Sequence, residues 1–284
     1  MARNGRLTHL GRRTVAALAA VLVVTALAAC SSGSDGLAIP SASGTGKLTI
    51  GISFDQPGLG LKSGNTYTGF DVDTATYVAA KLGVPAANIT WKEGKPADRE
   101  KLVEDGEVDL MFSTYSITPG RAQKLDFAGP YYIAHQDLLI RRNDQTITGP
   151  ETLDRKILCS VTGTTSAAYV EKTYAGKITL IEKSRFSDCV TALVQGDVDA
   201  VTTDDIILAG FAAQEQYKGI LRLVGKGFTD EKYGVGIKKG DSELVGKVNA
   251  ALKEYIKDGS WKKSLDLNVG DSGFAIPAAP TPGS

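Results

Sequence analysis

A four-residue pattern occurs twice in matching surroundings, and it constrains the fold more than any other feature. Gly106-Glu107-Val108-Asp109 leads through the apolar run Val108 to Phe112 into the polar loop Ser113-Thr114-Tyr115-Ser116-Ile117-Thr118-Pro119-Gly120-Arg121. Ninety residues later, Gly196-Asp197-Val198-Asp199 leads through Ala200-Val201-Thr202-Thr203 to the pair Asp204-Asp205. The repetition predicts two similar lobes facing each other. Ligands in α/β folds sit where strand ends open into loops, and a cleft between lobes is a common ligand site. The first loop offers hydroxyls at Ser113, Thr114, Ser116 and Thr118, then the guanidinium of Arg121. That planar fork suits a carboxylate through two parallel charge-assisted bonds. A surface loop with Arg121 paired to Asp126 or Glu93 is the competing reading.

Strand and helix signals alternate, which argues for an α/β fold with mainly parallel sheets. Short apolar strands are expected at 47–53, 89–91, 108–112, 157–159, 178–181, 198–202, 223–228 and 234–238. A helix opens after Gly69-Phe70, with Asp71 or Asp73 as its N-cap and Ala75, Val78, Ala79 and Leu82 on its inner face. Further helices are expected over 98–104, 186–195 and 244–257. Another starts near Thr164 or Thr165, so its free N–H groups can face an anion. Residues 271–284, rich in Pro, Ala and Gly, read as a disordered tail.

The 32 basic and 32 acidic residues give zero formal charge. Four arginines (3, 6, 12 and 13) lie in the first 29 residues, which hold no acid, so the remainder is net −4 (28 basic against 32 acidic). No basic patch suggests a nucleic-acid partner. Arg12-Arg13 followed by the apolar run Val15 to Ala29 reads as an export signal over 1–29. Its end, Leu27-Ala28-Ala29-Cys30, looks like a bacterial lipobox, which would make Cys30 the lipidated mature N-terminus on the outer face of the cell membrane. An ordinary signal peptide with an incidental cysteine is the alternative. Residues 30–46 then form the lipidated cysteine and a flexible tether. Two cysteines remain, Cys159 and Cys189. In an exported chain an even number suggests a disulfide, with two buried thiols as the alternative.

The chain resembles the family 3 solute-binding proteins, the amino-acid-binding lipoproteins of ABC importers. The resemblance runs from about Lys47 to Val269. It rests on L-T-I-G-I-S-F-D-Q-P-G at 48–58, Y-T-G-F-D-V-D at 67–73, G-E-V-D-L at 106–110, the loop at 113–121, D-F-A-G-P-Y-Y at 126–132 and D-G-S-W at 258–261. The F-D-Q-P-G version, with the cysteine pair, looks like the glutamate-binding branch of Gram-positive, high-GC bacteria. The resemblance implies a two-lobed periplasmic-binding-protein fold hinged on two crossing strands, near Tyr131–His135 and Phe228–Tyr233. Lobe one would then be 47–132 plus 231–270, and lobe two 135–228. Position by position it implies that Arg121, helped by Ser116 and by the N–H and hydroxyl of Thr165, pairs with a ligand α-carboxylate. Asp204 and the Thr114 carbonyl would bind the α-ammonium, and Phe54 and Phe70 would pack on the ligand stem. Arg99 would hold a side-chain carboxylate, against the alternative of a surface arginine paired with Glu100 or Glu104. Ser53 and Phe186 stand where some glutamate binders carry Arg and His, so a second side-chain partner is Lys62, Arg141 or nothing. Glutamate is thereby favoured over aspartate, glutamine and asparagine. The implied partners are a free amino acid, the permease subunits and, through Cys30, the membrane. No cofactor or metal is implied.

An enzyme is the first rival. Ser260-Trp261-Lys262-Lys263 fits S-x-x-K, but no K-T-G or S-D-N accompanies it, and no G-x-S-x-G is present. His135 is the one histidine outside the signal, too few for a metal site. Adjacent Asp204 and Asp205 would point to opposite sides of a strand, which leaves Asp205 a structural role such as a helix cap. The second rival is a sensor reporting the amino acid to a signalling partner, with an identical ligand site.

Overall fold

The computed structural model of the protein describes residues 46–283. The segments expected to form the export signal and the tether, with Cys30, lie outside the described residues. Among the described residues no helix is long and apolar enough to cross a membrane.

The chain builds its first lobe from β1 (Leu48–Ile52), a small antiparallel sheet of β2 (Asp55–Gln56), β3 (Gly60–Ser63) and β4 (Thr66–Thr68), then α1 (Phe70–Lys81), β5 (Ile89–Glu93), α2 (Arg99–Glu104), β6 (Leu110–Met111), α3 (Pro119–Lys124) and β7 (Leu125–Ala134). It crosses into β8 (Gln136–Arg141), β9 (Ile157–Val161), α4 (Thr165–Thr173), β10 (Thr179–Lys183), α5 (Phe186–Gln195), β11 (Ala200–Asp204), α6 (Asp205–Ala212) and β12 (Leu221–Leu223). It returns through β13 (Glu231–Lys238) and closes with α7 (Ser242–Lys257) and α8 (Ser260–Val269).

The two large sheets have matching orders, β5-β1-β6-β13-β7 and β10-β9-β11-β8-β12. In each, three parallel strands are followed by two joined antiparallel. The repeated motif occupies the same place in both. Gly106 (φ 70°) and Gly196 (φ 87°) turn the chain out of α2 and α5 in the left-handed region that favours glycine. Val108 and Val198 are buried beneath. Asp109 Oδ2 accepts the amide of Thr49 at 2.7 Å, and Asp199 Oδ2 accepts that of Ile157 at 2.8 Å. Each aspartate therefore fastens the middle strand of its sheet to the neighbouring strand. This shared requirement is the physical reason for the repeat.

The crossings fall at His135 and at Thr229–Asp230, where Glu231 pairs with Ala134 and Tyr233 with Tyr132. Phe70, Tyr131, Tyr132, Tyr233 and Trp261 form an aromatic core beside the hinge. Trp261 Nε1 donates to the Tyr131 carbonyl at 2.7 Å. Cys159 in β9 and Cys189 in α5 are joined in a disulfide, both fully buried.

Several local expectations differ. The strand expected over 223–228 is β12, which ends at Leu223. The N-cap of α1 is Gly69, not Asp71 or Asp73, because those carboxylates point inward to other donors. Asp258-Gly259 ends α7, but Ser260-Trp261 opens a further helix, α8. The tail expected to be disordered is laid on the body: Phe274 and Ile276 pack against the core, and the Gly283 amide donates to the Gly129 carbonyl at 2.6 Å. Its composition hid two apolar side chains that find cover.

Candidate functional site

Between the lobes lies a small space lined from both sides. The first lobe lines it with Gln56, Pro96, Arg99, Thr114, Ser116 and Arg121; the second with Thr164, Thr165, Ser166, Phe186, Thr203, Asp204 and Ile207.

Arg121 is placed by the start of α3, where Thr118 Oγ1 accepts the Arg121 amide at 3.2 Å and Pro119 takes the first helical position. Its guanidinium donates to the Ser116 carbonyl (2.8 Å), to Glu100 Oε1 (3.1 Å) and, across the cleft, to the Gly163 carbonyl (2.9 Å). Arg99, 3% exposed, is not a surface arginine. It donates to the carbonyls of Pro96, Ser113 and Thr114, and also to Gly163 at 3.2 Å. Both guanidiniums lie over the ring of Tyr115, at 4.5 Å for Arg99 and 4.8 Å for Arg121. Burial and the neighbouring Arg121 lower the Arg99 pKa to about 10, so it keeps its charge at neutral pH.

Thr114 holds a positive φ of 40°, an uncommon backbone state for a non-glycine residue. Asp71 Oδ2 enforces it by accepting the Thr114 amide at 2.9 Å, and Tyr131 donates to the other oxygen at 2.8 Å. Complete burial raises the Asp71 pKa to about 7 despite these donors.

Asp204 ends β11 at the far side of the space. Its Oδ2 accepts the Tyr233 hydroxyl at 2.5 Å, while Oδ1, equally buried, has no protein partner. Burial and the nearby carboxylate of Glu231 raise its pKa to about 8. Asp205, the first residue of α6, instead accepts the amides of His135 and Ile206. Thr164 caps α4 by accepting the Ala167 amide at 3.0 Å. The N–H groups of Thr165 and Ser166 begin the helix and have no intrahelical acceptor. The Thr165 hydroxyl donates to Glu231 at 2.9 Å, so it has no proton to offer an anion, whereas Ser166 Oγ is buried without a partner.

The structure thus brings Arg99, Thr114, Ser116, Arg121, Thr165 and Asp204 to one cavity. Phe54 stands beside it in an adjoining crevice with Ser53, Gln56, Pro96 and Phe186, its ring under the Lys62 ammonium at 5.1 Å. Phe70 is not brought there: it is fully buried in the aromatic core. Arg141 is also elsewhere, donating to the carbonyls of Leu193 and Val198. Gln56, Ser166, Thr203 and Ile207 line the cavity without having been singled out. The F-D-Q-P-G motif was the available signal for Gln56; nothing local marks the others.

Two polar poles face each other across a small space closed by two hinged lobes, an arrangement that defines a solute-binding protein. Residues 48–269 match the sequence profile of the bacterial extracellular solute-binding proteins, family 3, and the chain belongs to that family. It is an exported binding protein, not an enzyme. The chain is 42% identical over 283 residues to the glutamate-binding protein GluB of Corynebacterium efficiens, covering 96% of this chain and 95% of that one. It is 33% identical over 258 residues to the ABC transporter glutamine-binding protein GlnH of Bacillus subtilis, covering 86% and 92%. The structure of an ancestral arginine-binding protein bound to glutamine superposes with a TM-score of 0.73 at 32% identity, covering 79% of this chain and 98% of that one.

Proposed function

We propose that this protein captures glutamate in the cleft between its lobes and delivers it to the permease of an ABC importer, tethered to the outer face of the cell membrane by a lipid on Cys30. The observation that carries the reading is the buried, unpartnered Asp204 Oδ1 of a residue that lines the same cavity as Arg99 and Arg121. An α-amino acid presents the complementary pair of charges, and a buried polar group left unpaired is costly. In this reading the α-carboxylate takes Arg121, Ser116 and the helix-start N–H groups of Thr165 and Ser166. Asp204 takes the ammonium together with the Thr114 carbonyl. Arg99 faces the side-chain carboxylate, the stem lies along Phe54, and no second side-chain partner is required. Two buried arginines favour a ligand with two carboxylates, and the similarity to the glutamate-binding relative supports the same choice.

Closure follows from the same contacts. A ligand that bridges both lobes binds the closed form better than the open one and shifts the population by that difference. The deciding experiment is calorimetric titration of the chain lacking its first thirty residues with glutamate, aspartate, glutamine, asparagine and an unrelated sugar. Tight glutamate binding with weak glutamine is the expected result. Tight glutamine with weak glutamate removes the acidic-ligand reading, and silence with every amino acid removes the binding site itself.

A further inference from the structure

Glu231 is the first residue of β13 on the returning crossing strand, and it is 6% exposed. Its carboxylate gathers donors from three directions. Gln136 Nε2, on the other crossing, donates to Oε1 at 2.8 Å, and Thr229 Oγ1 donates to the same oxygen at 3.2 Å. Thr165 Oγ1, at the start of α4 in the second lobe, donates to Oε2 at 2.9 Å. A buried carboxylate is retained at such a place only when its acceptors are used, and here donors from the crossings and from the ligand-facing helix fill them. Two residues further along the strand, Tyr233 donates to Asp204. One short stretch of the hinge thus touches both poles of the cavity.

We propose that Glu231 is a positioning residue of the ligand site: it fixes the amino-terminal turn of α4 to the hinge through Thr165, on the same strand whose Tyr233 holds Asp204. The inference rests on the amino-acid reading of the cleft. The charge of Glu231 supplies a readout of known sign. Asp204 is faced by Glu231 and Tyr233 from β13, Asp205 from α6, Tyr132 from β7 and Arg99 from α2. After burial, Glu231 contributes most to holding the Asp204 carboxyl in its protonated form. An arriving ammonium displaces that proton, so affinity weakens as pH falls through the range in which the proton must be expelled. Removing the charge at position 231 moves this acid limb to lower pH.

The test uses the full chain in mild detergent, titrated with glutamate from pH 6 to 9. Glu231→Gln keeps the shape and an acceptor for each crossing donor but removes the charge. It is expected to hold affinity within about threefold at the alkaline end and to move the acid limb down by roughly half a unit or more. Glu231→Ala leaves three donors without an acceptor, that of Gln136 buried, and is expected to weaken glutamate roughly 10- to 100-fold at the alkaline end while moving the acid limb as Glu231→Gln does. Should that variant fail to fold, Thr165→Val removes the other end of the helix-fixing bond and is expected to show the loss of affinity with the acid limb unmoved. A Gln profile that superimposes on the wild type, or Ala and Val variants within about threefold of it, overturns the assignment while leaving the ligand site intact. A wild type that binds no amino acid overturns the cleft reading and this inference with it.

Discussion

The Nη2 atom of Arg121 donates to the carbonyl of Gly163 at 2.9 Å, and this bond crosses the cleft between the lobes. Arg99 reaches the same carbonyl, so one peptide oxygen of the second lobe sits between two guanidiniums of the first. The approach is possible because residue 163 has no side chain. A Cβ there would stand 2.7 Å from the backbone of Ala97, and φ is +84°. Gly163→Ala is therefore expected to prevent full closure. Glutamate affinity should fall by more than about 100-fold. The strain itself costs about 1–2 kcal/mol, so thermal unfolding should shift by only a few degrees. Small-angle scattering with and without glutamate checks it: the contraction on ligand addition should disappear.

The raised pKa of Asp204 predicts that this residue opposes closure until a cation arrives. In the closed arrangement its pKa lies near 8, against 3.8 for an ordinary aspartate. At neutral pH, closing without ligand therefore requires proton uptake or a buried unpaired charge. Asp204→Asn removes that obstacle and the ammonium partner together. The variant is expected to bind no amino acid and yet to populate the closed form more than the wild type at pH 7.5. Distance measurements between labels on the two lobes would read this directly.

The proposed binding mode gives the two arginines separable duties. Arg121→Ala should abolish binding of every amino acid tested, since the α-carboxylate is common to all. Arg99→Ala should weaken glutamate roughly 10- to 100-fold more than glutamine, because a charged partner is lost in one case and a neutral one in the other. Arg99 also holds the carbonyls of Ser113 and Thr114. Equal losses for both ligands, measured by calorimetry, would reduce its part to that loop-holding task.

Stability should decline from mildly acidic to alkaline pH. Burial raises the pKa of Asp55, Asp71, Asp73, Asp137, Asp204 and Asp205 above the unfolded value. A group whose folded pKa is raised binds protons better when folded, so its contribution is lost as pH rises through the folded pKa. For Asp71 and Asp204 that window extends to about 7 and about 8. Tm is expected to be several degrees higher near pH 5.5 than at pH 8.5. Saturating glutamate should narrow the difference by neutralising the share of Asp204. Calorimetric scans at both pH values, with and without ligand, give the answer.

The disulfide closes a separation of 30 residues between β9 and α5. Replacing both cysteines by serine should lower stability by about 3 kcal/mol. At this size the loss corresponds to a Tm decrease of roughly 6–12 °C. A change of less than 2 °C would assign the bridge no more than a packing role.

The two-lobed α/β plan was legible in local patterns. The motif ending in Asp109 and Asp199 foretold two like lobes because each copy is a local device: a glycine leaving a helix, a buried valine and an aspartate tied to the next strand. The helix start at Thr164–Thr165 and the location of Arg121 were legible for the same reason, since caps and turns act over a few residues, whereas the crossing points came only with the family resemblance. What the tertiary structure decided is which side chains still have bonds to give. Phe70 and Phe54 look alike in sequence, yet only packing against Trp261 and the hinge tyrosines takes Phe70 out of reach of the cleft. The Thr165 hydroxyl is committed to Glu231, sixty-six residues away, while Ser166 and Asp204 Oδ1 are left unpartnered. Arg99 reads in sequence either as a ligand partner or as a surface helix arginine, and only its donors, followed to four carbonyls, take it out of the surface. Hydrogen-bond satisfaction inside a cleft is settled by partners distant in the chain, and no local pattern records them.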